Sequence, residues 1–119
     1  MLRRVTIRTL TLAVAAAVAL LAGCKGGPEV TSIKMLLDDP ARFDKQTVRI
    51  VGEVTQAFGV LGYGAYQVND GTGGIAVVSQ EGGAPRQGAR VGVEGEFRSG
   101  YTLGTETAAV ILERERFTP

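Results

Sequence analysis

The sequence predicts a mainly β fold: a small five-stranded Greek-key barrel with a short N-terminal helix, behind a leader segment that is removed. Three observations predict it. Apolar and polar residues alternate in "TVRIVGEVTQAF" (47–58) and again in "RVGVEGEF" (90–97), each run interrupted by a glycine. Alternation of period two marks half-buried strands, and an internal glycine marks a bend, a bulge or a close backbone approach. Three further strand-like runs, "YGAYQVND", "GGIAVVS" and "TAAVILERERF", complete a set that a closed barrel would leave without exposed edges.

The leader comes first in the chain. Residues 1–9 carry Arg3, Arg4 and Arg8 and no acid, and residues 10–21 carry no charge. That apolar run is shorter than the about 20 residues a membrane-crossing helix needs, so the pattern is that of a secretory signal peptide. It ends in "LAGC" (21–24), with the only Cys of the chain. This ending resembles the lipobox of bacterial lipoproteins. The resemblance implies that residues 1–23 are cleaved and that the Cys24 thiol carries a diacylglycerol, with acyl chains such as palmitate holding the protein on the membrane. It also implies a location on the cell envelope. Lys25, where an Asp would favour inner-membrane retention, favours a periplasm-facing position on the outer membrane, with the inner membrane as the alternative. The six residues "KGGPEV" (25–30) form a short tether to a domain at 31–119.

The domain is mildly acidic once the three leader arginines are taken from 13 basic residues against 12 acids. It has no electrostatic pull on polyphosphate. With no His in the chain and its single Cys lipidated, no disulfide, metal site or cofactor is expected. Thr31 or Ser32 caps a helix whose Ile33, Leu36 and Leu37 share one face, and Pro40 ends it. Phe43 folds back onto that face. Val48, Ile50 and Val54 then share the inner face of the first strand with Gly52, and Val91, Val93 and Phe97 that of the fourth with Gly95.

"IKMLLDDPARFDKQTVRIVGEV", "YQVNDGTGGIAVV" and "PRQGARVGVEGEF" together resemble bacterial OB-fold domains of the anticodon-binding-like group. The resemblance covers about residues 33–117. It lacks the usual helix between the third and fourth strands, since "QEGGAPRQG" is too short and too rich in Gly and Pro. An SH3-like barrel is the structural alternative. In the anticodon-binding members a Phe stacks on a base, a Gln reads a base edge and an Arg adjoins the motif Asp. The matching positions here hold Ala65, Ala76 and Asn69. The face formed by Ala65, Gln67, Asn69, Ala76 and Val78 carries no aromatic residue and no cation, so nucleic acid is not the expected partner.

Asp70, Gly71 and Gly73 in "NDGTGG" read as a structural turn, with Asp70 accepting from the backbone two residues on and both glycines supplying positive φ. A phosphate-binding loop would need a Lys and a following helix, whereas "IAVV" is strand and no helix N-terminus points at the loop. Asp38, Asp39 and Asp44 lack the spacing of a calcium loop and read as a solvated corner. Glu53, Glu94 and Glu96 beside Arg49 read as ion-paired surface. "ERER" at 113–116 reads as a solvated edge. The chain is therefore not expected to be an enzyme. Phe58, Leu61 and Tyr63 in the first loop and Tyr101 and Leu103 in the fourth are the candidate binding residues, as the OB-fold resemblance implies for these loops. They either plug the barrel ends or meet a partner: an envelope protein, with a small glycan or cation as the alternative.

Overall fold

A computed structural model describes residues 29–60, 63–80, 82–103 and 105–119, without the side chains of Val60, Tyr63 and Leu103. Cys24, Leu61, the leader and most of the tether lie outside the described residues. The chain forms α1 (Ile33–Asp38), α2 (Pro40–Phe43), β1 (Thr47–Val60), β2 (Tyr63–Asn69), β3 (Gly74–Ser79), β4 (Arg90–Leu103) and β5 (Glu106–Phe117). The strands close into a barrel in the order β1-β2-β3-β5-β4. All pairings are antiparallel except that of β3 with β5.

The period-two pattern is what closes it. Ile50 and Val54 from β1, Val68 from β2, Val77 from β3, Val93 and Phe97 from β4 and Ile111 from β5 point inward and are fully buried. Ile33 and Leu36 of α1 join the same core. Leu37 departs from the expected helix face: it stays 41% exposed, at the margin over Gly73. Pro40 ends α1 and occupies the first turn of α2, where its missing N–H costs nothing. Phe43 packs against the core from outside.

Gly52 and Gly95 are among the strand glycines needed for space. A Cβ on Gly52 would lie 2.5 Å from the Asn69 carbonyl oxygen, and one on Gly95 would collide with the Leu112 carbonyl. At these points β1 passes close over β2, and β4 over β5, as a small barrel requires. β1 also carries a bulge between Val54 and Gln56, which lets its first half pair with β4 and its second with β2. Residues 82–89 contain no helix. Their final residues lie across the bulge, with Val54 N–H donating to Ala89 O at 2.8 Å and Gly88 N–H to Val54 O at 2.7 Å.

Candidate functional site

The β2–β3 turn is a helix cap as well as a turn. Asp70 Oδ1 accepts from Thr72 N–H at 2.9 Å and Gly73 N–H at 3.2 Å, while Oδ2 accepts from Ile33 N–H at 2.9 Å. Thr72 Oγ1 accepts from Lys34 N–H at 3.1 Å, and Ser32 Oγ from Met35 N–H at 3.2 Å. Three of the free N–H groups at the start of α1 are thereby satisfied. A helix N-terminus does point at the loop, contrary to the sequence expectation, because α1 arrives from far along the chain. The loop's own carboxylate already occupies it. Burial pushes the Asp70 carboxyl up, but the hydrogen bonds from Thr72, Ile33 and Gly73 outweigh it and hold the group below the usual carboxylate range.

Gly71 has φ +87°, a conformation open to glycine. Gly73 does not share it. Its constraint is contact with the helix, since a Cβ there would lie 3.4 Å from Ile33 Cγ2.

Most of the described residues of both expected binding loops are strand. Phe58 pairs with Ala65 and Val60 with Tyr63, so β1 and β2 continue as a hairpin. Tyr101 pairs with Ala108 and Leu103 with Glu106, so β4 and β5 do the same. Gly59 stands opposite Gly64 within the β1–β2 ladder, whereas Gly100 falls where the β4–β5 register shifts between Arg98 and Tyr101.

The hairpins flank the outer face of β2, β3 and β5. A groove of about 260 Å³ lies there, lined by Phe58, Gln67, Tyr101 and Glu106 over a floor of Ala65, Ala76, Ala108 and Val110. Gln67, Ala76 and Val110 are cross-strand neighbours in one row. Methyl side chains across three adjacent strands leave a depression, and the larger residues around them form its walls. The face therefore has two aromatic residues, Phe58 and Tyr101, which the sequence pattern did not assign to it. Val78, expected on the exposed face, is only 9% exposed. A more open, polar concavity of about 400 Å³ adjoins the β2–β3 turn, with Glu53, Asn69, Asp70 and Arg90 around it. The carboxylate of Asp70 is committed to the cap.

Beneath the groove Tyr66 is buried and donates its hydroxyl hydrogen bond to Glu113. Arg116 Nε donates to the same carboxylate at 2.6 Å, stands over the Tyr66 ring at 5.4 Å and bonds the Gly83 carbonyl. Burial, reinforced by the Glu113 hydrogen bond, raises the Tyr66 hydroxyl well above its usual range. "ERER" is therefore not a solvated edge throughout. The bulge between the Glu115 and Glu113 pairings sends Glu113 inward, and Arg116 follows it, while Arg114 and Glu115 stay exposed. Some other surface charges pair modestly: Arg49 with Glu94 at 3.8 Å, Arg98 with Glu96 at 3.4 Å, and Lys34 with Asp38. Asp44 accepts from Ser99 N–H at 2.9 Å.

No family model matches the chain, and no curated protein matches it. Solved structures do. An OBody bound to hen egg-white lysozyme is similar with TM-score 0.58 at 16% identity, covering 76% of this chain and 95% of that one. Aspartyl-tRNA synthetase from Entamoeba histolytica gives TM-score 0.60 at 15% identity over 77% of this chain. RecJ from Thermus thermophilus in complex with Mg²⁺ gives TM-score 0.53 at 15% identity over 76%. The chain spans only 21% of that synthetase and 16% of that RecJ. The shared feature is the fold, a five-stranded OB-fold barrel.

Proposed function

We propose that this OB-fold barrel is a non-catalytic binding module, anchored by lipid at Cys24 to the cell envelope and facing the periplasm from the outer membrane. It docks on an envelope protein through the face between its two extended hairpins. The groove carries the reading: it joins Phe58 of one hairpin to Tyr101 and Glu106 of the other on one depressed face. Phe58 is 61% exposed, and a large aromatic ring left in water on a concave face is the kind of group a partner covers. OBodies offer a parallel, since similar barrels bind lysozyme. Among the described lining residues Glu106 is the only one charged at neutral pH, which supports binding over acid–base chemistry. Aromatic walls without a cation also suit single-stranded nucleic acid poorly. The concavity keeps a small glycan or cation as the second reading.

A photo-crosslinking residue at position 58 in intact cells should give a discrete protein adduct that Tyr101→Ala abolishes. The same residue at position 86, in the β3–β4 connection where Arg86 is exposed, should give none. Equal adducts at both positions, or none at 58, would remove the docking assignment. For the anchor, Cys24→Ser should leave an unprocessed precursor lacking the acyl mass, and normal processing of that variant would refute lipidation.

A further inference from the structure

Resting on that docking reading, we infer that the groove receives the guanidinium group of an arginine side chain presented by the protein partner. Four observations converge. The groove holds about 260 Å³, below the roughly 300–1,000 Å³ of small-molecule pockets, and it suits one long side chain. Two of its walls are the aromatic residues Phe58 and Tyr101, whose ring faces attract cations. Glu106 is the only charged residue among its described lining, and it has no ion-pair partner among the described residues. The Gln67 amide is likewise without a hydrogen bond among the described residues, which leaves its carbonyl oxygen available.

A guanidinium uses all of these at once. Its plane stacks on a ring while its edge donates a fork of N–H groups to a carboxylate, which a compact ammonium cannot do together. The alanine floor offers an apolar bed for the three-carbon stem. Arg98 lies in the same cross-strand row as Val110, but it is turned to Glu96 and does not neutralise Glu106. Arginine is also among the residues that dominate protein interfaces when seated in such recesses.

The test uses the ¹⁵N-labelled full chain in detergent micelles, titrated with N-acetyl-arginine amide. N-acetyl-citrulline amide, its uncharged isostere, and tetramethylammonium serve as comparisons. The arginine amide should shift the amides around Phe58, Tyr101 and Glu106, with about tenfold tighter binding than citrulline amide. Glu106→Gln should erase that preference while leaving the remaining spectrum in place, which shows the barrel is still folded. Equal binding of citrulline amide would overturn the charge assignment and leave the groove as a contact site. Stronger binding of tetramethylammonium would replace the partner side chain by a small free cation. No shift at the groove with any of the three would overturn the inference, and the crosslink at position 58 would then decide separately whether a protein docks there.

Discussion

At the scale of single residues, Asp70 does the most with the least. One carboxylate closes a turn and caps a helix that begins 37 residues earlier in the chain. Asp70→Ala releases the N–H groups of Ile33, Thr72 and Gly73 together and should cost about 1–3 kcal/mol, beyond a single lost cap. At about 4–8 °C per kcal/mol for a domain of this size, thermal melting resolves that easily. The sign of the pH effect follows from the lowered pKa. The ionised form is the one the fold stabilises, so the contribution is complete above the ordinary carboxylate value of about 3.9 and is lost as pH falls through the folded value. Asp44 acts in the same direction, its carboxyl held low chiefly by the Ser99 N–H. Asp70→Asn should therefore flatten part of the fall in melting temperature on acidification, and Asp44→Asn a further part. An unchanged acid profile in the double variant would show that other carboxylates govern it. At Gly95 the constraint is steric: Gly95→Ala drives a methyl into the Leu112 carbonyl and should destabilise by about 1–3 kcal/mol or more.

At the scale of elements, the strands were legible because their inner faces repeat with period two. Val48, Ile50 and Val54 could be assigned from spacing alone, and so could Val93 and Phe97. The hairpin ends were not legible in the same way. Residues 58–64 and 99–106 read as loops through the OB-fold resemblance, yet cross-strand pairing, a property of two segments, keeps their described strand residues extended. The cap on α1 escaped for a related reason, since nothing local tells Asp70 that Ile33 will arrive. "ERER" misled because a bulge breaks the alternation that a sign pattern assumes. The candidate site was half legible: Phe58 and Tyr101 stood out as apolar residues without an obvious core role, but their common groove depends on barrel closure. The β4–β5 extension should accordingly carry function without carrying stability. Replacing residues 102–107 by Asn-Gly would join the paired Tyr101 and Ala108 through a two-residue turn. Melting should change by less than about 4 °C, because none of the removed residues whose side chains are described belongs to the core, whereas the preference for arginine amide over citrulline amide should be lost with Glu106. A large loss of stability would mean that the hairpin props the barrel.

At the scale of the molecule, closure makes the barrel one cooperative unit and leaves its hairpins outside that unit. The core takes residues from α1 and from all five strands, so no element can open alone without exposing buried surface. α1 belongs to this unit, although it is short and begins next to the tether. Ile33 is fully buried, and its backbone N–H is held by the β2–β3 turn. Ile33→Ala should cost about 2–5 kcal/mol, and the loss should appear as one shifted transition, not as separate melting of a helix. Native-state hydrogen exchange gives the finer reading. Amides of Val93, Phe97 and Ile111 should exchange only through global unfolding, while those of Thr102 and residues 106–108 exchange through local opening. In Ile33→Ala the first group should speed up by the full change in stability and the second should not respond. If Val93 and Ile111 kept their protection while α1 lost its own, the helix would be an appendage on a self-sufficient barrel. The turn at Asp70 would then serve to hold that appendage in place and would contribute nothing to the unit that presents the groove.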